Sequence, residues 1–173
     1  MAIDVDRLNM MSADEAREAF LQCCHSSRWA IRMETLRPFA SLDELEAAAD
    51  RIWDNLSEPD WLEAFRGHPK IGDVDQLRQK FAATAAMCEN EQAGARSASE
   101  AVLRRLKEGN DQYQGQNGFI FIVCATGKSA GEMLALLEER LKNNRRVELA
   151  NACAEQAKIT KLRLRKVCTK ASL

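Results

Sequence analysis

Ser41-Leu42-Asp43-Glu44 has the form of a capping box, in which the Ser hydroxyl accepts from the Glu amide and the Glu carboxylate accepts from the Ser amide. The same spacing recurs at three other places, Ser12–Glu15, Ser97–Glu100 and Ser129–Glu132. A stretch with helical periodicity follows each of them. Four such helix starts predict an all-α protein.

The periodicity divides the chain into about eight helices. We expect them at residues 13–25, 28–37, 42–56, 58–66, 74–87, 97–113, 130–142 and 145–170. Pro38 should end the second helix, because its ring and missing N–H do not continue one. Pro59 lies in the first turn of the fourth, where a missing donor costs little. No linker, repeat or low-complexity segment interrupts the pattern, so we expect a single-domain helical bundle over residues 1–173.

Composition and charge exclude several classes of protein. The formal net charge of −1 gives no overall attraction to nucleic acid or an anionic membrane, and the basic last third is interpreted as a solvated helix face. No apolar run could span a bilayer and the N-terminus has no secretory pattern, so we expect a cytoplasmic protein with reduced cysteines. The six cysteines include no C-x-x-C pair, and Cys23-Cys24-His25 lacks zinc-site spacing, so no metal is predicted.

The segment 119–125 departs from the helical pattern. It is a continuous apolar run, rich in β-branched and aromatic residues and bounded by Gly118 and Gly127, which favours a buried extended conformation. An extended segment in a helical protein has no partner strand, so its amides and carbonyls must bond to something else. That partner can be a ligand, or side chains and water.

The turn Phe65–Asp73 carries one of only two histidines in the chain. Pro69 pushes His68 out of helical geometry just after a predicted helix, and a turn can present a side chain to a cleft. Histidine changes charge near neutral pH, which suits it to proton transfer, although a structural role is the alternative. Glu91-Gln92 places an acid beside an amide, a pair that is also common on surfaces.

Arg163 lies on the apolar stripe of the last predicted helix. The other members of the stripe follow helical spacing and are Leu149, Ala152, Gln156, Ile159 and Val167. An inward-facing guanidinium needs a carboxylate or a bound anion to offset its loss of solvation. An internal salt bridge and an anion-binding site are both compatible with this position.

Several motifs follow one another in a definite order and spacing from Asp14 to Val167. They are Trp29 with Met33, Arg37-Pro38-Phe39, Asp60-Trp61-Leu62-Glu63-Ala64-Phe65, His68-Pro69-Lys70-Ile71-Gly72, Glu91-Gln92-Ala93-Gly94, Asn110 with Tyr113, Asn117-Gly118-Phe119-Ile120-Phe121, Arg140-Leu141, and Ile159 with Leu162-Arg163-Leu164. Together they resemble the 2-oxo-4-hydroxy-4-carboxy-5-ureidoimidazoline (OHCU) decarboxylase family. The combination of His-Pro-x-Ile-Gly with Glu-Gln-x-Gly is the most specific part.

The resemblance implies a helical enzyme of urate catabolism that converts OHCU to (S)-allantoin and CO2. It implies no metal or organic cofactor and commonly a homodimer. It implies that His68, Glu91 and Arg163 are the catalytic residues, with His68 as the acid/base, Glu91 in contact with substrate and Arg163 binding its anionic group. The remaining substrate-binding positions that it implies are Pro69, Cys88, Gln92, Phe121, Ile122, Val123, Cys124 and Ala125.

Two positions depart from the family pattern, and two other functions stay open. Cys88 stands where members often carry Ser, and a thiol is a weaker donor than a hydroxyl. Gln116-Asn117-Gly118-Phe119 stands where members often carry Lys/Arg-Phe-Gly-Phe. One alternative is another ureide-pathway enzyme, a hydrolase of hydroxyisourate or allantoin. The other is a non-enzymatic interaction module, which explains the helices but not the extended segment or Arg163.

Overall fold

The computed structural model describes residues 5–68 and 94–169, with the backbone only for residues 94–99. The described residues form the helices α1 (Asp6–Met10), α2 (Ala13–Cys23), α3 (Ser27–Thr35), α4 (Leu42–Asp54), α5 (Glu58–Arg66), α6 (Gly94–Asn117), α7 (Ala130–Arg140) and α8 (Arg145–Thr169). No strand occurs within these ranges, which confirms the all-α class. None of the helices described is both long and apolar enough to cross a membrane.

Helix caps agree with the sequence at most of the predicted starts. Complete capping boxes form at Ser12 and Ser129. At Ser57 the Asp60 carboxylate accepts from the Ser57 amide and hydroxyl, at 3.1 and 2.7 Å. Ser41 accepts from the Glu44 amide at 3.1 Å, but the Glu44 carboxylate takes the amide of Ala40 instead of that of Ser41. The start predicted at Ser97 is wrong, because α6 already begins at Gly94. The helix predicted at 74–87 lies outside the described residues.

Helix α1 is absent from the sequence prediction because its support comes from distant residues. The Arg37 guanidinium donates to the carbonyls of Leu8 and Met11, at 2.7 and 2.6 Å. Asn9 exchanges two hydrogen bonds with the backbone of Phe39, at 2.8 and 2.9 Å. A helix of five residues has little stability of its own, so these bonds hold it in place.

The chain divides into two compact units. The first comprises Met1–His68 with Cys153–Leu173, and the second comprises Pro69–Ala152. Helix α8 therefore contributes residues to both. The expectation of one domain over residues 1–173 stays a prediction.

Aromatic packing forms the core of the first unit. Trp29 is fully buried and meets the ring of Phe20 edge-on, with centroids 5.9 Å apart. Phe20 meets Phe39 in the same way. The indole N–H of Trp29 donates to the Ala49 carbonyl at 3.1 Å, so the polar atom of this core residue is satisfied.

Helices α4 and α8 pack antiparallel in the first unit. Trp53 donates from its indole to the Cys153 carbonyl at 3.1 Å, near the end of α4. Nearer its start, Asp50 pairs with Lys161 and Glu46 with Arg165. Part of the basic face that the sequence predicts to be solvated is therefore paired with the acidic face of α4.

The turn after α5 has no room for a side chain at Gly67. A Cβ atom there would lie 2.2 Å from Cγ of the His25 ring. Gly67 has φ of −72°, a conformation open to any residue, so contact and not backbone strain requires glycine. The His25 ring thus fixes the position of the backbone immediately before His68.

We expect Gly67→Ala to lower the free energy of unfolding by about 1–3 kcal/mol, because the added methyl group must displace the His25 ring or the turn. Gly115→Ala is the matched control, since a Cβ there meets nothing within 4 Å. That change should stabilise α6 by about 0.5–1 kcal/mol. Urea denaturation of the three proteins measures both, and a Gly67→Ala protein as stable as wild type would contradict the packing described.

Candidate active site

His68 lies in the turn that follows α5 and is half-buried. Its amide donates to the Phe65 carbonyl at 3.2 Å, which closes the turn. Its Nε2 atom lies 2.5 Å from Oε1 of Gln156, a fully buried side chain on α8. The contact with Gln156 therefore holds the ring of His68, the candidate proton-transfer residue, at its Nε2 atom.

The amide of Gln156 continues into a chain of buried polar groups. Its Nε2 donates to Oγ1 of Thr160 at 3.1 Å, and Thr160 in turn hydrogen-bonds the thiol of Cys24. Burial raises the pKa of Cys24 to about 12, so the thiol stays protonated at neutral pH. The groups beyond His68 in this chain are thus neutral.

Cys23, Cys24 and His25 connect α2 to the turn that carries His68 and to Arg163. The carbonyl of Cys23 accepts from Nη1 of Arg163 at 3.3 Å, and the His25 ring contacts Gly67. Burial, helped by the Arg163 charge, lowers the pKa of His25 and favours its neutral form. The sequence offers this segment only as a candidate metal site. In the structure it instead connects α2 to the turn that carries His68 and to Arg163, all within the first unit.

Arg163 lies beside the buried stripe of α8 rather than on it. The buried positions are one residue away from most of those predicted and are Glu148, Ala152, Gln156, Thr160, Leu164 and Cys168. Leu149, Ile159 and Val167 are half-buried, as is Arg163. In the part of the chain that the structure describes, Arg163 is anchored by a backbone carbonyl and not by a carboxylate.

The predicted extended segment is confirmed as a non-helical stretch between α6 and α7, and protein side chains bind its carbonyls. Nη1 of Arg140 donates to the Ile122 carbonyl at 2.5 Å, and Nζ of Lys128 donates to the Cys124 carbonyl at 2.9 Å. Phe121 and Ile122 are buried, whereas Val123, Cys124 and Ala125 are half-buried. The sequence left open whether a ligand, or side chains and water, would bond to this backbone. Side chains bond to at least the carbonyls of Ile122 and Cys124.

A fully buried carboxylate, Glu148, supports this segment within the second unit. It accepts four hydrogen bonds, from Tyr113 Oη at 2.5 Å, Arg140 Nε at 2.6 Å, Asn143 Nδ2 at 2.8 Å and Asn151 Nδ2 at 2.9 Å. The Arg140 guanidinium also lies 4.8 Å from the centroid of the Phe121 ring. Glu148 thus fixes Arg140, and Arg140 fixes the extended segment.

Several of the predicted site residues can be located. His68 and Arg163 belong to the first unit, and Phe121–Ala125 belong to the second. Pro69, Cys88, Glu91 and Gln92 lie outside the described residues. Within residues 5–68 and 94–169, no three His, Cys, Asp or Glu side chains are grouped to hold a metal ion.

Sequence reasoning missed the polar residues that position these groups. Gln156 appears in the sequence only as a member of an apolar stripe, and Glu148 gives no signal of burial at all. The polar character of Gln156 within that stripe is the one feature that could have drawn attention to it.

Comparison with known proteins defines the class. The OHCU decarboxylase family model matches residues 9–165. An OHCU decarboxylase from Amia calva is 30% identical over 95% of this chain and 94% of its own length. The uric acid degradation bifunctional protein TTL of Arabidopsis thaliana is 38% identical over 91% of this chain, which spans 48% of that protein.

A solved structure has the same fold. The crystal structure of an OHCU decarboxylase in the presence of (S)-allantoin superposes with a TM-score of 0.72 at 37% identity. The match covers 89% of this chain and 99% of the other. The chain therefore belongs to the OHCU decarboxylase family, whose members are decarboxylases of urate degradation.

We expect Glu148→Gln to destabilise the protein by about 3–5 kcal/mol, because it removes the charge that compensates the largely buried Arg140. The matched control is Glu139→Gln, which removes a carboxylate paired with Lys142 on the surface. That change should alter stability by less than about 1 kcal/mol. Urea denaturation measures both, and equal effects would contradict the role given to Glu148.

The same pair of variants gives a pH test of the Glu148 network. Burial raises the pKa of Glu148, but the hydrogen bonds from Tyr113, Asn143, Asn151 and Arg140 outweigh burial and hold it below its ordinary 4.5. A depressed pKa in the folded state contributes stability that is complete above 4.5 and is lost as the pH falls below that value. Wild type should lose this contribution on acidification, whereas Glu148→Gln has none to lose.

Proposed function

We propose that this protein decarboxylates OHCU to (S)-allantoin and CO2. The observation that carries the proposal is the family match over residues 9–165, together with a relative whose whole length the chain nearly covers. A solved relative was crystallised in the presence of (S)-allantoin, the product expected here. Hydrolysis of another ureide and a non-enzymatic role have no comparable support.

The chemistry of the substrate suits an enzyme without an organic cofactor. OHCU carries its carboxylate on C4, which also bears a hydroxyl group and neighbours a C5=N bond. When the C4–carboxylate bond breaks and CO2 leaves, the electron pair forms a C4=C5 double bond and the nitrogen takes a proton. The C4 hydroxyl then loses its proton and C5 gains one, which gives allantoin. The protein has to orient the substrate and move protons.

His68, coupled to Glu91, is the proposed acid/base. In the proposed mechanism, His68 accepts the proton of the C4 hydroxyl and delivers a proton to C5. The half-buried turn and the fixed ring support this role, because proton transfer requires a held donor and acceptor. Delivery of the C5 proton to one face explains a single product enantiomer.

Arg163 is the proposed anion-binding residue. Its Nη1 atom is held by the Cys23 carbonyl, which orients the planar guanidinium. The other donors of the group suit a carboxylate, which such a fork binds through two parallel hydrogen bonds. Its half-buried position reduces competition from water.

The segment Phe121–Ala125 is proposed to bind substrate through its backbone. The carbonyls of Ile122 and Cys124 accept from Arg140 and Lys128, and that of Ala125 accepts from the Lys128 amide. Because protein donors already occupy these acceptors, the proposal assigns the substrate contact to backbone N–H groups. Fixing the carbonyls also fixes the direction of the N–H groups between them.

The other proposals rest on the resemblance. Pro69, Cys88 and Gln92 are the proposed further substrate contacts, and a carboxy-lyase that works as a homodimer without metal or cofactor is the proposed form of the enzyme. A cytoplasmic location is proposed because the free thiols of Cys23, Cys24 and Cys153 suit a reducing compartment.

We expect wild-type protein to release CO2 from freshly generated OHCU and to yield (S)-allantoin. Circular dichroism measures which enantiomer of the product forms. His68→Ala should lower kcat by about 10²–10⁴-fold, because a positioned acid/base contributes that much. The exposed neighbour Arg66 provides a control, and Arg66→Ala should leave kcat unchanged. Rapid consumption of hydroxyisourate with no acceleration of CO2 release would refute the proposed reaction. A folded His68→Ala protein with full activity would refute the role of His68.

Replacing Arg163 by Lys should raise KM and lower kcat/KM by roughly 10-fold or more, since the charge remains but the planar fork is lost. Arg165→Lys is the matched control. It makes the same change two residues along the helix, in a side chain that pairs with Glu46. Steady-state kinetics on OHCU should separate the two variants. Equal kinetics for both would show that Arg163 has only a structural role.

A further inference from the structure

Gln156 is an unusual residue to find fully buried at the middle of the last helix. A buried amide loses solvation at both its carbonyl and its NH2 group, and it is tolerated only when both are bonded. Here the carbonyl oxygen faces His68 Nε2 at 2.5 Å and the NH2 group faces Thr160 Oγ1 at 3.1 Å. Both ends of the amide therefore have partners, and one partner is the proposed acid/base.

The contact with Thr160 defines the orientation of the amide. The NH2 group of Gln156 donates to Oγ1 of Thr160 at 3.1 Å and so points away from His68. The carbonyl oxygen of the amide then points to His68 and can only accept.

An acceptor at His68 Nε2 requires a proton on that nitrogen. In the neutral ring, the proton on Nε2 leaves Nδ1 as the basic nitrogen. We propose that Gln156 is a positioning residue, which holds His68 in the Nε2–H tautomer so that Nδ1 is the atom that exchanges protons with the substrate. The inference rests on the proposed role of His68 in decarboxylation, and it adds the residue that selects the reactive nitrogen.

A neutral partner has a consequence that a carboxylate would not have. An amide fixes orientation and tautomer without a full negative charge, which would favour the imidazolium form. Among the described residues, titratable groups near the turn include the His25 ring against Gly67, the Arg163 guanidinium and the protonated thiol of Cys24. Gln156→Glu keeps the shape of the side chain and adds a negative charge at the Nε2 side of the His68 ring.

Nitrogen-15 NMR of histidine-labelled protein tests the contact without reference to activity. The chain has only two histidines, so a His25→Gln variant assigns the signals. At a pH where the His68 ring is neutral, wild type should carry the ring proton on Nε2, and Gln156→Leu should show a mixture of tautomers. Gln156→Glu should raise the pKa of His68 by about one unit or more. A wild-type ring protonated at Nδ1, or a pKa that does not move in Gln156→Glu, would overturn the proposal.

The pH dependence of kcat/KM tests the positioning role. In Gln156→Glu, the limb of the kcat/KM pH profile that reports protonation of His68 should move to higher pH. The size of this shift should equal the shift of the His68 titration measured by NMR. Gln156→Leu should lower kcat more than it raises KM, and both variants should stay folded by circular dichroism. Gln112→Glu makes the same charge change on the exposed face of α6 and should move neither the limb nor the titration.

The NMR titration and the kinetic measurements together distinguish a failure of the role proposed for Gln156 from a failure of the role proposed for His68. A ring titration that moves while the kinetic limb stays in place would contradict the positioning role of Gln156. A His68→Ala protein with full activity would refute the catalytic role of His68, whatever the NMR result. Matched movement of the titration and the limb, with loss of kcat in Gln156→Leu, supports the proposal.

Discussion

The constraint on which this structure depends is the burial of polar groups along one face of α8. The helix buries a residue at every fourth position, and three of these, Glu148, Gln156 and Thr160, carry polar side chains. Removed from water, each must find a partner or destabilise the fold. The partners they find are the elements that the family resemblance associates with function, namely the His68 turn and, through Arg140, the segment at 121–125.

The two units meet this constraint in different ways. In the second unit, a full charge on Glu148 is matched by Arg140 and by three neutral donors, an arrangement that fixes a segment of backbone firmly. In the first unit, a neutral amide on Gln156 meets the His68 ring. The charged pair fixes a segment of backbone, whereas the amide contacts the ring of His68 without adding a charge at Nε2.

The sequence predicted what depends on local chemistry. Capping patterns placed most helix starts, and the apolar run at 119–125 was correctly separated from the helices, because both signals lie within a few residues. The sequence did not predict α1, which distant bonds from Arg37 and Phe39 support. It placed most of the α8 stripe one residue from the buried positions, since the period of a long helix does not identify which neighbours cover it.

The candidate site was predictable only in part for the same reason. The resemblance assigned roles to His68 and Arg163, but the partners that hold them come from elsewhere in the chain. Cys23 anchors Arg163 through its carbonyl, a group that every residue possesses and that no pattern can mark. Gln156 meets His68 across 88 residues, and only the folded chain brings the two together.

A crystal structure of the protein with (S)-allantoin bound tests the roles of His68, Gln156 and Arg163 most directly. We predict that the ligand contacts Nδ1 of His68 and the guanidinium of Arg163, while Nε2 of His68 stays on Gln156. A ligand bound to His68 Nε2 in place of Gln156, or bound away from both His68 and Arg163, would contradict these roles.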